Sequence, residues 1–334
     1  MTTINSIQTL SLDHNFDGIL FVGDPHFSGK NIGRRKDNYT ESVLSKLNEI
    51  ASIANENNYI TLFLGDFLHK NNENNIEAIN KALRVLSLFK HVPWVLEGNH
   101  DKELNYLSDK DTLTTFILAG KLKLLDHTTA LQLLVKNKSV FCHCLPYGSY
   151  IPDIVDRHDS DVCFAMTHHD MAFENPYPGS IALKEVLNCD FIVNGHMHGT
   201  KKSEKLGLTW WHNPGNIEPL SIDLMHHIPR VWAWENPSQN SALKPIDLPH
   251  KTDIFDLTGI SVAAGDSAQA VEELIEEKSA FADALKGQSS LEADKTEDAS
   301  VLVQDVQDVL EAAKASDDTK KLFEILLQRL TKGT

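Results

Sequence analysis

Residues 18–26 read Gly-Ile-Leu-Phe-Val-Gly-Asp-Pro-His: four apolar residues, Ile19 to Val22, run without interruption toward Asp24 and His26. So continuous an apolar run suits a strand buried on both faces. The unit then recurs with helical stretches between. Periodicity predicts a helix over Tyr39 to Ala54, a strand at Tyr59 to Leu64, a helix from Ile76 to Phe89 and a strand at Val92 to Leu96. A helix near Thr112 to Leu118 comes next, then strands at Leu131 to Val135, Ser139 to Cys144, Val162 to Thr167 and Phe191 to Asn194. Tryptophan-rich runs at Leu208 to Trp211 and Arg230 to Trp234 have strand composition. Strands alternating with helices predict an α/β body.

The residues just past each strand carry the chemistry. The first strand ends in Asp24-Pro25-His26, the second in Gly65-Asp66-Phe67-Leu68-His69, and the third in Gly98-Asn99-His100-Asp101. Two later ones end in Thr167-His168-His169 and Gly195-His196-Met197-His198. Ligand sites of open α/β sheets lie beyond the carboxyl ends of the strands, so these five segments are expected to converge. Asp24 and His26 stand two apart, which in extended backbone points both side chains one way, and His196 and His198 repeat the spacing. Carboxylates and imidazoles without a thiolate suit manganese, iron or zinc.

Asp66 is the natural bridge between two cations, because Gly65 before it lets the chain turn sharply. Asn99 offers an amide oxygen to the second ion. Of the adjacent pair, His168 is expected to be the ligand because it directly follows the strand. Two cations in such a pocket clamp a phosphate and activate a bridging water as hydroxide. The leaving oxygen then needs a proton, and His100, beside a ligand without being needed as one, is placed to give it. Asp101 is expected to fix its tautomer. A single histidine among 16 would carry little weight, whereas five polar clusters at five strand ends do not arise readily by chance.

Taken in order, Asp24-x-His26, Gly65-Asp66, Gly98-Asn99-His100-Asp101, His168 and Gly195-His196-x-His198 resemble the calcineurin-like metallophosphoesterases over roughly residues 18–220. The resemblance implies a four-layer αββα sandwich holding two divalent metal ions. One ion takes Asp24, His26, Asp66 and His198, the other Asp66, Asn99, His168 and His196, and His100 is catalytic. The finer motifs are similar to the SbcD-type DNA repair nuclease subunit. Gly33-Arg34-Arg35-Lys36-Asp37 resembles that group's basic loop, Gly65 to His69 its Gly-Asp-Leu-Phe-His, and Pro214-Gly215-Asn216-Ile217-Glu218 its Pro-Gly-Ser-Ile-Glu, with Asn216 in place of serine. Arg34, Arg35 and His69 are accordingly expected to contact substrate. Manganese is the expected ion, and DNA and an SMC-like ATPase the expected partners.

Outward from the motifs, the chain divides into a catalytic domain at 1–220, a short β-containing extension at 221–255 in place of a larger capping region, and an acidic helical tail at 256–334. From Asp266 onward 16 acidic and 8 basic residues give -8, half of the total formal charge of -16, so the acidity belongs mainly to the tail. Its apolar stripes predict docking to a partner helix or self-assembly. The charge counts against a simple electrostatic nucleic-acid binder. Four cysteines in 334 residues make no disulfide framework, and no signal segment or apolar run of membrane-spanning length is present, so a cytoplasmic protein is expected. The rival expectations are a two-metal enzyme acting on cyclic nucleotides, RNA ends or phosphoproteins, and a scaffold acting through the tail.

Overall fold

The computed structural model describes residues 7–174, 177–235 and 243–257. Alternation within the apolar strands builds two facing sheets. The first comprises β1 (Gln8–Phe16), β6 (Thr129–Val135), β7 (Lys138–Leu145), β8 (Val162–Thr167), β11 (Phe191–Asn194), β12 (Lys201–Leu206) and β13 (Thr209–Asn213), in the order β1-β6-β7-β8-β11-β13-β12. The second comprises β2 (Gly18–Val22), β3 (Tyr59–Phe63), β4 (Trp94–Leu96), β5 (Lys123–Leu125), β14 (Arg230–Trp234) and β15 (Lys244–Asp247), in the order β15-β14-β2-β3-β4-β5. A two-residue pair, β9 (Met171–Ala172) and β10 (Ile181–Ala182), lies between β8 and β11 in sequence.

In β2, Ile19 and Phe21 point between the sheets while Leu20 and Val22 point outward, as period-two geometry requires. β8 answers from across the gap, with Phe164 and Met166 inward and Cys163 and Ala165 outward. Phe21 meets Phe164 at 5.3 Å between ring centroids, and Phe164 meets Trp234 edge-on at 5.2 Å. Helices α1 (Tyr39–Glu56), α2 (Ile76–Leu86) and α3 (Thr112–Leu118) cover the outer face of the six-stranded sheet with Val43, Leu47, Ala82 and Phe116. Asn38 and Asn75 cap α1 and α2 with side-chain oxygens, satisfying amides that the first turn leaves open. Among the described residues the outer face of the seven-stranded sheet is covered by loop segments, with Ile151, Val155, Phe173 and Val186 packing on Ile192 and Trp211. The architecture is an α/β sandwich of two facing sheets.

The described residues of 221–255 extend the six-stranded sheet. β14 lies antiparallel beside β2, pairing Trp232 with Phe21, and β15 extends the same sheet. Trp211, Trp232 and Trp234 are buried, the usual outcome for large rings on alternating strands. All four cysteines are buried free thiols. No helix among the described residues is long and apolar enough to cross a membrane. The predicted tail helices fall at 258–334, outside the described residues.

Candidate metal centre

The carboxyl ends of β2, β3, β4, β8 and β11 lie on one side of the sandwich, and the polar clusters beyond them meet there. Asp24, His26 and His198 present ligand atoms within 4.8 Å of one another, and so do Asp66, His168 and His196. His26, His69 and His100 form a third such group. The spacing rule behind Asp24 and His26 needs correction. His26 has φ +44 and His196 φ +68, so left-handed turns and not extended backbone shape both pairs: Asp24 and His26 meet in one group, while His196 and His198 part into two. Asp66 sits at φ +45. Three non-glycine residues in that region at one site mark stored strain.

Two glycines make the approach possible. Gly65 has φ +109, and a Cβ there would lie 2.4 Å from His168 Nδ1. A Cβ on Gly98 would lie 2.2 Å from Asp66 Oδ1. Behind the cluster, the loop Pro214 to Glu218 braces the two outer motifs: Asn216 N–H donates to His198 O at 2.9 Å and Ile217 N–H to Asp24 O at 3.4 Å.

The ring orientations decide the electrostatics. His168 donates Nδ1–H to Leu64 O at 2.7 Å, which turns Nε2 toward Asp66 Oδ2 at 3.2 Å and Asn99 Oδ1 at 3.2 Å. His196 directs Nε2 at Asp170 Oδ2, 3.1 Å away, which turns Nδ1 toward Asn99 Oδ1 at 3.1 Å. His26 Nε2 and His198 Nε2 face each other at 3.1 Å. In neutral rings the contacts of His168 Nε2 and His196 Nδ1 set lone pair against lone pair, whereas either of His26 and His198 can donate to the other. Both oxygens of Asp24 and Oδ2 of Asp66 are buried without a hydrogen-bond donor. Such a set is costly unless positive charge lies among it.

The titration behaviour agrees. Burial, with Asp66 close by, pushes Asp24 up to about 7. Burial also opposes charge on His168, yet the carboxylates of Asp66 and Asp24 outweigh it and raise the ring to about 9. His198, buried and beside His196, falls to about 3. The orphaned oxygens, the turned ring nitrogens and the second-row partners Leu64 and Asp170 fit divalent cations, whose imidazole ligands characteristically donate their other nitrogen to a carbonyl or carboxylate.

The model of the calcineurin-like phosphoesterases, Metallophos, matches residues 18–200, more than half of the 334. The chain belongs to this family. A curated relative named "Putative phosphoesterase 244L", from Invertebrate iridescent virus 6, is 25% identical over 201 residues, covering 56% of this chain and 66% of the viral protein. Among solved structures, Haemophilus influenzae NAD nucleotidase (NadN) aligns with TM-score 0.40 at 12% identity, covering 71% of this chain and 56% of that one. The match thus spans just under two thirds of the viral relative and little more than half of the solved one. Calcineurin-like phosphoesterases, the family to which the chain belongs, are metal-dependent hydrolases of phosphoester bonds.

Within this phosphoesterase the expected residues separate. Asp24, His26, Asp66, Asn99, His168, His196 and His198 gather at the cluster. His169 turns away and donates to Ser149 O at 2.7 Å. His100 lies against His26, 4.9 Å between centroids, and donates Nδ1–H to His69 O at 2.9 Å. That contact corrects the role given to Asp101. Asp101 is fully buried and accepts from Leu68 N–H at 2.9 Å and Gly98 N–H at 3.0 Å, so it ties two strand-end loops together and leaves the His100 tautomer to a main-chain carbonyl.

Arg35 also departs from expectation. Its side chain is fully buried, forked onto Asp37 at 2.7 and 2.6 Å and paired with Glu218 at 2.7 Å, so it is not available to substrate. An arginine with an aspartate two residues later is readable as a local pair, but its distant partner Glu218 is not. Arg34 is exposed and lies 3.9 Å from Asp256. The ring of His69 stands 5.7 Å from His26 and 5.9 Å from His100. Two aromatic residues at the site carry no mark in the motifs. Tyr39 donates its hydroxyl to His26 O at 3.0 Å. Tyr147 stands 5.4 Å from the ring of His196, and the rule that pointed to the other clusters would have found it, since it lies past the carboxyl end of β7.

Proposed function

We propose that the chain hydrolyses phosphodiester bonds in DNA with a pair of divalent ions, manganese being the working metal. The observation that carries the two-ion reading is the place of Asp66 Oδ2 between two imidazoles, 3.2 Å from His168 Nε2 and 3.7 Å from His26 Nε2. A carboxylate between two imidazole groups suits a shared ligand. Asp24, His26, Asp66 and His198 would hold one ion, and Asp66, Asn99, His168 and His196 the other. Ions bound there supply charge neutralisation and an activated water for in-line displacement. The protein's own part is to orient and to move a proton. With Nδ1–H fixed on His69 O, His100 keeps Nε2 as the atom that can face the leaving oxygen.

DNA is favoured by the SbcD-like segments Gly65 to His69 and Pro214 to Glu218. A small nucleotide diester is the second reading, and a specific observation supports it: of the basic run, Arg35 is buried and Lys36 is paired with Asp253 at 2.6 Å, which leaves little positive surface for a long backbone. A panel of linear DNA, RNA, cyclic dinucleotides and an aryl phosphodiester, assayed with manganese alongside elemental analysis, separates the readings. Cleavage of linear DNA supports the first, and turnover confined to the small diesters supports the second. Asp66→Asn is expected to abolish turnover and His100→Ala to lower kcat by about 10²–10⁴, both with the fold intact by circular dichroism. Either variant working at the parent rate overturns the assigned roles.

A further inference from the structure

Beside the cluster, at the carboxyl end of β7, lies a cavity of about 640 Å³ that none of the metal-binding residues lines. β7 runs parallel to β8, with Leu145 opposite Thr167, so the loop after β7 emerges next to His168. That loop is held in place. Ser149 N–H closes a turn on Pro146 O at 3.0 Å, Tyr147 N–H reaches Glu97 O at 3.3 Å, and Ser149 O accepts from His169. The ring of Tyr147 forms the boundary between cavity and cluster, 5.4 Å from His196 and 6.4 Å from His168, and is 42% exposed. Tyr150, 74% exposed, stands on the same lining with the Lys184 ammonium 5.2 Å from its ring centroid.

We infer that this cavity receives the nucleobase of a nucleotidyl phosphoester whose phosphate lies at the metal cluster. The inference rests on the phosphodiesterase reading and names the part of the substrate that the reading leaves open. Three features choose a base over other occupants. The volume lies within the range of small-molecule sites, about 300–1,000 Å³, and is too small for a protein segment of any length. Among the described residues Lys102 is the one lysine or arginine on the lining and Glu97 the one carboxylate, and the two pair at 3.0 Å; the other ionisable groups there, besides the tyrosines and Cys144, are His127 and His143. A second phosphate would find no free lysine or arginine there. Finally, an exposed tyrosine ring beside the cluster offers a face on which any base can stack, while Asn105 and Ser149 bring an amide and a hydroxyl to its edge.

The test compares ligands with and without a base on the full chain with manganese. Calorimetry measures binding of thymidine 5'-monophosphate against methyl phosphate, and kinetics measure kcat/KM for thymidine 5'-(4-nitrophenyl) phosphate against methyl 4-nitrophenyl phosphate. The parent is expected to favour the thymidine member of each pair. Tyr147→Ala should lower both ratios about tenfold, the scale of base–aromatic stacking, Tyr147→Phe should restore them, and Tyr150→Ala should lower them by a smaller factor. A parent without preference overturns the inference. So does a Tyr147→Ala variant that weakens both members equally, since that would mark a structural role. If the parent hydrolyses neither ester, the phosphodiesterase reading fails, and the calorimetric ratio still decides whether the cavity takes a base.

Discussion

Two groups of buried charge sit within a few residues of each other along the motifs of this chain, and they are built on opposite terms. In the first, the Arg35 fork holds Asp37 and Glu218 and gives a further bond to Pro219 O at 2.8 Å, while Lys46 lies 3.4 Å from the other Glu218 oxygen and bonds Pro249 O. Every charge faces an opposite one. The second group, around Asp24 and Asp66, crowds imidazoles and carboxylates together and leaves both buried oxygens of Asp24 without a hydrogen-bond donor. A network in which every charge is countered holds these segments together, even though Glu218 Oε2 has only its ion pair with Lys46 and no hydrogen bond. An incomplete one is tolerable only as a receptor, so the missing partner identifies the site.

The comparison can be broken most severely at Arg35. Arg35→Met strands two carboxylates and is expected to cost about 3–5 kcal/mol in urea unfolding, with or without metal. A loss below about 1 kcal/mol would show that the network is not the fastening described.

The opposite sign is expected at Asp24. Burial raises its carboxyl to about 7 from 3.8, so between those values the folded chain holds a proton that the unfolded chain has released. Its contribution is full below about pH 4 and is lost as pH rises through 7. Without metal, Asp24→Asn should therefore be more stable than the parent at pH 8, by about 1–3 kcal/mol, with the difference vanishing near pH 4. Chelator-treated protein unfolded at both pH values checks this. A destabilised variant at pH 8 would mean that Asp24 has a partner.

Smaller effects sharpen the contrast. Asp170→Asn removes the anionic acceptor that orients His196 and should weaken metal binding about 10–100-fold in a competition titration. Tyr39→Phe removes one hydrogen bond to His26 O, and about 0.5–1.5 kcal/mol of stability should go with it. Equal metal affinity in Asp170→Asn and the parent would remove the carboxylate from the account of ring orientation.

Much of this is legible in one dimension. Val162–Thr167, Phe191–Asn194 and Arg230–Trp234 fall where the apolar pattern places them, because strands buried on both faces have no choice of composition, and the helix at Thr112–Leu118 also falls where it is expected. The elements that the pattern misses are of another kind. β1 and β12 stand at the two edges of their sheet, with polar and charged sequences; β1 is largely exposed and β12 largely half-buried. Their strand state comes from the neighbour they pair with. The seven site residues are legible through their position after strands. Asp101 and Arg35 are not, because a polar residue next to a motif looks the same whether it faces the pocket or fastens the loop behind it.

The sequence by itself determined the alternating body, the set of carboxylates and imidazoles, and the end of the sheets at which they meet, since periodicity and chain order fix which residues come after which strand. Only the tertiary structure decided which of those groups find partners and which do not. Hydrogen bonding between strand-end loops depends on backbone turns such as those at His26, Asp66 and His196. Such turns are set by the close approach of distant segments, a contact that local sequence does not encode.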